Sequence, residues 1–328
     1  MPDIVCLGEA LIDMVAQSVG DLAHALGFDK APGGAPANVA AGIGVLGGSV
    51  GFIGKVGDDP WGACLEETLH GCNVDTSHLV KTREEFTRLA FVALKEDGGH
   101  DFLFHGRRGA DELLAPDDLA QSYIAEANVF HFGSITTIHD PARLATYEAV
   151  KFARDAGLMV SYDPNLRPAL WPDLGVALDQ MTLAMELVDF VKVSGEELEF
   201  LTGAKDLEAG AKALYDLGPE LVTVTLGEEG CFYHHSNATG SVPGFKVEVE
   251  DTVGCGDAFV ASMLLLLNEA DSDLADLTGS GLDHICRFAN AAAAITATGS
   301  GAIPALPARG EVEELLEGRS PSEEDPGF

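Results

Sequence analysis

Short apolar segments alternate along the chain with longer stretches of helical periodicity, and this alternation limits the possible folds more than any other feature. The apolar segments are residues 3–7, 49–56, 128–132, 158–162, 190–193 and 221–226. The helical stretches lie near residues 60–69, 141–156, 174–186, 194–217, 282–298 and 311–316. Such alternation is typical of a mostly parallel sheet with helices on both faces. We therefore predict a three-layer α/β sandwich, in which ligands bind beyond the carboxyl ends of the strands.

A second, smaller sheet is predicted from segments with a different pattern. Residues 87–95 and 100–105 alternate polar and apolar side chains around Asp97-Gly98-Gly99, which favours a hairpin with one solvated face. Together with residues 12–19, this hairpin predicts a small sheet that covers a site as a lid. We expect one domain over residues 1–317, with lid strands from about 12–19 and 86–106, and a disordered tail over 318–328.

The charge of the chain excludes one class of partner. Its 53 acidic and 19 basic residues give a formal net charge of −34, so binding to nucleic acid through a basic surface is not expected. Such acidity fits either an ordinary solvated surface or adaptation to a cytoplasm rich in salt, which screens the repulsion.

Two further observations concern location. The six cysteines are scattered without a C-x-x-C pair, which favours reduced thiols over disulfides or a zinc site. No segment has the length and apolarity of a membrane span, and the N-terminus lacks a secretory pattern. We expect a cytoplasmic protein without membrane association.

The segment Asp251-Thr-Val-Gly-Cys-Gly-Asp257 has the composition of an anion site. Residues 245–250 alternate like a strand, and the apolar run from Ala258 onward predicts a helix. Glycines at a strand-to-helix turn aim backbone N–H groups outward, and the helix dipole adds positive potential there. Asp257 is then either a cap of this helix or a general base beside a bound phosphate.

Polar residues recur at the other predicted strand ends. Gly33-Gly34-Ala35-Pro36-Ala37-Asn38 opens a helix, with glycines that allow a ligand close to the backbone. The remaining groups share the carboxyl edge of the sheet: Asp13, Asp163-Pro-Asn165-Leu-Arg167, Ser194 with Glu197, and Thr225-x-Gly227-x-x-Gly230. Each is weak alone, but their shared location predicts one site.

With these motifs, residues 3–316 resemble the ribokinase-like (PfkB) carbohydrate kinases, and most of all the bacterial and archaeal fructokinases. The two family signatures match at residues 33–40 and 251–257. The fructokinase-like stretches are residues 109–114, 163–168 and 193–203. The resemblance implies a ribokinase-like fold and ATP-dependent phosphorylation of a sugar, with Mg²⁺ and K⁺ as cofactors. It also implies a homodimer formed through the lid sheet.

The resemblance also implies a role for each matching position. Asp257 would be the catalytic base, with an anion hole formed by the amides of Gly254, Cys255 and Gly256. The sugar and phosphate path would be lined by Asp13, Gly33, Gly34, Asn38, Arg107, Asn165 and Arg167. The ATP site would contain Thr225, Gly227, Gly230 and Asn290, with Glu197 organising Mg²⁺ through water. K⁺ would be bound by Asp251 and the carbonyl groups of Val253, Thr296, Gly299 and Gly301.

Three positions depart from the family pattern or leave a choice open. Cys255 replaces the usual alanine, Ser194 stands where many relatives have asparagine, and the lid arginine is either Arg107 or Arg108. Fructose is the expected substrate. The alternatives are 2-keto-3-deoxygluconate, which differs by a carboxylate, and a non-catalytic sugar-binding regulator of the same fold.

Overall fold

A computed structural model describes residues 1–94, 100–106, 108–270 and 272–318 of the chain. Two sheets are present. The larger has nine strands in the order β13-β12-β11-β10-β9-β8-β1-β4-β5. Its strands are β1 (Ile4–Leu7), β4 (Val50–Gly57), β5 (Val74–Thr82), β8 (Val129–Gly133), β9 (Met159–Asp163), β10 (Phe190–Ser194), β11 (Leu221–Thr225), β12 (Cys231–His235) and β13 (Ala238–Val242). All neighbours from β11 to β5 pair in parallel, whereas β12 and β13 form an antiparallel edge.

The helices cover both faces of this sheet, as the alternation predicted. They are α1 (Ala35–Val45), α2 (Pro60–Gly71), α3 (Gln121–Ala125), α4 (Ala142–Asp155), α5 (Leu174–Met185), α6 (Gly195–Thr202), α7 (Leu207–Tyr215), α8 (Cys255–Glu269), α9 (Gly279–Thr296) and α10 (Arg309–Leu316). Alternate residues of β1 enter two separate cores: Ile4 and Cys6 pack with α1, α2 and α8–α10, whereas Val5 and Leu7 pack with α3–α7. None of the described helices is long and apolar enough to cross a membrane.

The small sheet has the strand order β3-β2-β6-β7 and follows directly from the end of β1. Its strands are β2 (Leu11–Ala16), β3 (Phe28–Gly33), β6 (Leu89–Leu94) and β7 (His100–His105). The predicted turn at 97–99 and the tail from 319 lie outside the described residues. Strand β3 was not predicted, because Pro32 and Gly33 give residues 28–33 the composition of a turn.

Three further differences from the sequence-based prediction have physical reasons. Residues 245–250 form no strand: Phe245 is half-buried beside Arg287, but Val249, which the alternation places on the same side, is exposed, so no continuous apolar face is buried to stabilise a strand. The helical stretch 194–217 is two helices, separated at Gly203, which adopts a left-handed conformation with φ 70°. Strands β5, β12 and β13 were missed. Strands β12 and β13 lie at one edge of the sheet and β5 at the other, where polar residues interrupt the apolar pattern.

The strand order reverses between β1 and β8, which is where ligands bind in open α/β sheets. Helix α1 begins there: a Cβ atom added to Gly8 after β1 or to Gly133 at the end of β8 would meet Pro36 at 2.3 and 3.2 Å. The small sheet and the start of α1 are thus positioned together over the carboxyl edge of the large sheet.

Candidate active site

Asp257 lies in the first turn of α8, and its side chain is buried. Gly254 precedes the helix with φ 84°, and a Cβ atom there would lie 2.7 Å from the Cα of Ala302. Only glycine therefore fits this turn without strain. The N-terminal N–H groups of a helix have no intrahelical partners. The N–H of Cys255 makes only a long hydrogen bond of 3.4 Å to the carbonyl of Thr252, so the turn retains donors for an anion.

The Asp257 carboxylate receives hydrogen bonds from distant side chains and does not cap its own helix. Asn38 donates to Oδ2 at 2.7 Å, and Asn165 donates to Oδ1 at 3.4 Å. Burial raises the pKa of Asp257 to about 6; the Asn38 hydrogen bond and the charges of Lys192 and Arg167 lower it, whereas Asp163 raises it. A carboxylate of this kind changes protonation just below neutral pH, as a general base requires.

Asn38 connects the start of α1 to Asp257 and retains a free acceptor. Its Nδ2 group is committed to Asp257, whereas its Oδ1 atom is buried without a hydrogen-bond partner among the described residues. A buried amide oxygen without a partner lowers the stability of the fold unless a hydrogen-bond donor reaches it. A hydroxyl group of a ligand in this pocket would supply that donor.

Asp13 and Gly33 are diagonal neighbours across the pair β2–β3 of the small sheet. Strand β2 places Leu11 opposite Gly33, and a Cβ atom at Gly33 would lie 2.7 Å from Oδ2 of Asp13. Burial raises the pKa of Asp13 to about 7, Arg167 lowers it and Asp257 raises it further. The three charged groups therefore lie close enough to influence one another electrostatically.

The loop after β9 carries Asn165 and Arg167. Asn165 adopts a left-handed conformation with φ 41°, and its N–H donates to Oδ1 of Asp163 at 3.1 Å, a turn that suits asparagine. Arg167 is exposed, and its guanidinium donates a long hydrogen bond of 3.3 Å to the carbonyl of Leu166. Its guanidinium is available to an anionic ligand.

Glu197 joins two strand ends through both of its carboxylate oxygens. Oε1 accepts from the N–H of Leu166 at 2.7 Å and Oε2 from the N–H of Ser194 at 2.8 Å. The Oγ atom of Ser194 in turn accepts a hydrogen bond from the N–H of Glu197, so the two residues form a capping box at the start of α6. Serine therefore fulfils a local role where many relatives have asparagine. With both oxygens in use, Glu197 suits contact with a metal through water better than direct coordination.

Lys192 is a buried cation that the sequence analysis did not single out. Its Nζ group lies 3.0 Å from Oδ2 of Asp163, and both side chains are almost fully buried. A Cβ atom on Gly256 would lie 3.0 Å from Nζ, so this charge stands directly beside the glycine turn. The sequence contained one indication of this buried charge, because a lone lysine interrupts the apolar strand Phe190–Ser194.

Residues predicted for the nucleotide lie around the end of β11 and the antiparallel edge. Thr225 pairs with Ser194 at adjacent strand ends. Gly230 has φ 96°, and a Cβ atom there would meet the carbonyl of Val242 at 2.2 Å. Asn290 on α9 donates to the carbonyls of Val242 and Pro243 at 3.0 and 3.3 Å. Gly227 completes the turn between β11 and β12. Asn290 thus fixes the chain that leaves β13.

The residues predicted to bind a monovalent cation are brought together in two neighbouring loops. Asp251 accepts hydrogen bonds from the N–H groups of Val253 and Gly301, both at 3.0 Å. This carboxylate therefore ties the glycine turn to the segment that follows α9, where Thr296 and Gly299 lie. Carboxylate and carbonyl oxygens are hard donors that fit K⁺. Among the described residues, no cluster of three His, Cys, Asp or Glu side chains could hold a metal by itself.

Of the two arginines predicted as candidates for the lid, one lies in the described part of the chain. Arg107 lies outside the described residues. Arg108 is partly exposed, donates to the carbonyl of Asp140 and lies 3.6 Å from Oε2 of Glu112.

A third arginine, Arg88, was not predicted from the sequence, and it is buried. Its guanidinium binds Asp111 at 2.9 and 3.0 Å and also pairs with Glu112. It lines a cavity of about 290 Å³ together with Phe104 and His139. The charge of this buried arginine is therefore neutralised by two carboxylates.

The chain is similar to known fructokinases in sequence and in fold. Fructokinase-1 of Zea mays is 45% identical over 316 residues, which cover 96% of this chain and 97% of that protein. The structure of a fructokinase from Xylella fastidiosa with bound ATP superposes with a TM-score of 0.88 at 35% identity, covering 97% of this chain and 99% of that one. A fructokinase double mutant from Vibrio cholerae O395, bound to fructose, ADP and a potassium ion, gives 0.86 at 33% identity, covering 96% and 98%.

The family comparison covers nearly the whole chain. Residues 1–309 match the pfkB family of carbohydrate kinases. The match includes both glycine-rich segments and every residue discussed above. The chain belongs to the pfkB family of carbohydrate kinases.

Proposed function

We propose that this chain transfers the terminal phosphoryl group of ATP to the 6-hydroxyl group of fructose. The observation that carries the proposal is the buried carboxylate of Asp257 at the start of α8, with a pKa raised to about 6 and Asn38 fixed against it. This is the arrangement expected of a base that acts beside an anion site. The identity with fructokinases over 96% of the chain supports fructose as the substrate.

In the proposed mechanism, Asp257 takes the proton of the attacking hydroxyl at Oδ1. We assign the proton to Oδ1 because its bond from Asn165 is long, whereas Oδ2 is firmly held by Asn38. Asp13 and Oδ1 of Asn38 accept hydrogen bonds from other hydroxyls, and Gly33 and Gly34 let the sugar approach the backbone. This contact network holds the reacting hydroxyl in line with the phosphoryl group.

The phosphoryl group is stabilised by fixed donors and cations around the glycine turn. The amides of Gly254, Cys255 and Gly256 face the position where negative charge develops, and Lys192 and Arg167 add positive potential. Mg²⁺, held through water near Glu197, would neutralise the phosphates of ATP. K⁺ beside Asp251 and the carbonyls of Val253, Thr296, Gly299 and Gly301 would stabilise the turn. Thr225, Gly227, Gly230 and Asn290 would border the nucleotide.

The charges of the site favour a neutral sugar over a sugar acid. The carboxyl groups of Asp13, Asp111 and Asp257 lie around the pocket, and Arg88 is already neutralised by two carboxylates. A substrate carboxylate would meet this negative potential opposed mainly by the exposed Arg167, because Lys192 is already paired with Asp163 and Arg108 lies beside Glu112. We therefore place 2-keto-3-deoxygluconate below fructose.

The test is a coupled ADP-release assay with fructose, 2-keto-3-deoxygluconate, ribose and adenosine, each with and without K⁺ and at low and high salt. We expect the highest kcat/KM for fructose and a stimulation by K⁺. Asp257→Asn should retain ATP and fructose binding by calorimetry while turnover falls by about 10²- to 10⁴-fold. Turnover preserved in that variant would exclude Asp257 as the base. Binding without any turnover in the wild type would favour the non-catalytic regulator.

The homodimer through the small sheet stays a prediction. Val15 and Leu103 on this sheet are apolar and 41% and 56% exposed in the single chain. Sedimentation equilibrium of the wild type and of Leu103→Asp would measure it. A dimer that dissociates in the variant supports the contact, and an unchanged mass contradicts it.

A further inference from the structure

Glu9 lies at the point where the strand order reverses, and no role has been given to it so far. It follows β1 by two residues, and its side chain is only 2% exposed. An acid directly after a strand resembles an ordinary turn residue in the sequence. Burial of a carboxyl group to this extent destabilises the fold unless hydrogen-bond or charge partners compensate for the lost water.

The first partner of Glu9 is the start of α1. Its Oε1 atom accepts a hydrogen bond of 2.9 Å from the N–H of Ala35, the first residue of the helix. The N-cap position of α1 is Gly34, which has no side chain to cap the helix. Glu9 therefore supplies the missing acceptor from another segment of the chain.

The backbone of Glu9 fixes the same loop. Gly34 has φ 106°, and a Cβ atom at this position would lie 2.4 Å from the carbonyl oxygen of Glu9. Side chain and main chain of one residue thus hold both Gly34 and Ala35. Any shift of Glu9 would move the two glycines to which sugar binding is assigned.

Helix α1 transmits this position to the catalytic carboxylate. The N–H of Asn38 donates to the carbonyl of Gly34 at 2.8 Å, in the first turn of the helix. Its side chain donates to Asp257 at 2.7 Å. Two hydrogen bonds and the Gly34–Ala35 peptide bond thus connect Glu9 to Asn38, and a third hydrogen bond connects Asn38 to Asp257.

The second oxygen of Glu9 indicates its protonation state. Oε2 is buried without a hydrogen-bond partner among the described residues. Burial and the charges of Asp111 and Asp257 raise the pKa of Glu9 to about 8, although the hydrogen bond from Ala35 opposes this. Arg88 is the cation associated with Asp111. Glu9 is accordingly neutral at pH 7, and glutamine is its closest analogue.

We propose that Glu9 is a positioning residue of the active site, whose buried carboxyl group caps α1 in place of Gly34 and so holds Asn38 against Asp257. This inference rests on the proposed function, because it takes Asp257 to be the catalytic base. It assigns Glu9 no contact with the reacting atoms.

The experiment compares Glu9→Gln, Glu9→Ala and Glu9→Asp with the wild type. Glutamine keeps the acceptor for Ala35, alanine removes it, and aspartate is one methylene too short to reach it. We expect Glu9→Gln to retain wild-type kcat/KM for fructose. The other two variants should lose on the order of 10²-fold, the cost of a small misplacement of reacting groups.

A matched control separates positioning from simple loss of a helix cap. Asp173 is exposed and caps α5, a helix of the second core, through the N–H of Val176. Asp173→Ala should lower the Tm as Glu9→Ala does, yet leave kcat/KM unchanged. Equal kinetic losses in the two variants, or wild-type kcat/KM in folded Glu9→Ala, would overturn the proposal. So would an equal loss in Glu9→Gln and Glu9→Ala.

A second readout needs no turnover. The pKa of Asp257 can be followed by ¹³C NMR of the labelled carboxyl group in the ligand-free protein, assigned with Asp257→Asn. Because the Asn38 hydrogen bond lowers this pKa, it should rise in Glu9→Ala and Glu9→Asp but not in Glu9→Gln or Asp173→Ala. An unchanged pKa in all variants overturns the proposal. Failure of the wild type to phosphorylate fructose affects only the proposed function.

Discussion

Asn38 and Asp257 are 219 residues apart in the chain, yet the amide of one donates a hydrogen bond of 2.7 Å to the carboxylate of the other. The two glycine-rich segments that carry them each begin a helix, and the two helices pack against each other: a Cβ atom on Gly42 of α1 would meet Ala261 of α8 at 2.7 Å. The small residues allow the helices to approach closely. Sugar contact and proton transfer are thereby placed on a common rigid support.

The protonation of two carboxylates predicts the pH dependence of the reaction. Asp13 and Asp257 have pKa values raised to about 7 and about 6. Asp257 must be ionised to accept the hydroxyl proton, and Asp13 is the stronger hydrogen-bond acceptor when it is ionised. As the pH falls through these values, kcat/KM should decrease more steeply than for one proton. In Asp13→Asn, kcat/KM should still fall at acid pH, but only as steeply as for one proton. The midpoint should lie at or slightly below pH 6, because the variant removes a negative charge close to Asp257. A wild-type profile that stays flat down to pH 5 would contradict this prediction.

The buried pair Lys192–Asp163 predicts a combined effect on stability and catalysis. Lys192→Met leaves a buried carboxylate without its cation, which costs about 3–5 kcal/mol in the free energy of unfolding. Lys192 also lowers the pKa of Asp257, so the acid limb of kcat/KM should move to higher pH. Denaturant unfolding and pH profiles measure the two effects.

Lys55→Met is the matched control for this variant. Lys55 pairs with Asp118 at 2.7 Å and is mostly buried, but it does not contribute to the pKa of Asp257. It should lose stability with an unchanged pH profile. If the profile of Lys192→Met is also unchanged, Lys192 has only a structural role.

The sequence allowed the strand-end site to be predicted because its main signals are local. Glycines before a helix and acids after apolar strands can be recognised without tertiary information. Asn38 and Asp257 are in hydrogen-bond contact, and Asp13 is close enough to Asp257 for their charges to interact. Asp251 and Gly301, which only the family resemblance associated as K⁺ ligands, are joined by a hydrogen bond.

The residues that escaped prediction depend on partners remote in the chain. Arg88 is buried only because Asp111 and Glu112 arrive from the segment after β7. The acceptor role of Glu9 exists only once Gly34 leaves α1 without a cap. The strand predicted at 245–250 is wrong for a related reason: an alternating pattern forms a strand only where another part of the chain covers its apolar side, and Val249 on that side is exposed.

The thiol of Cys255 is predicted to be unreactive despite its position. Cysteines at helix N-termini usually have lowered pKa values, but burial and the charges of Asp251 and Asp257 raise that of Cys255 to about 11. The protonated thiol should react with iodoacetamide more slowly at pH 7.5 than a cysteine in an unstructured peptide. Cys255→Ala should retain kcat/KM because the role of the residue is carried by its main chain. A loss of about tenfold or more, equivalent to 1.4 kcal/mol, would assign the side chain a part in catalysis.

The excess of acidic residues predicts that stability rises with salt. With 53 acids and 19 bases, most surface carboxylates have no cation to pair with, and their repulsion disfavours the compact state. Screening shortens the reach of these charges from about 10 Å at 0.1 M salt to about 3 Å at 1 M. The free energy of unfolding from urea titrations should therefore increase between these concentrations, equally in KCl and NaCl. A gain in KCl alone would reflect the proposed K⁺ site instead, and full stability and activity without added salt would exclude adaptation to a salt-rich cytoplasm.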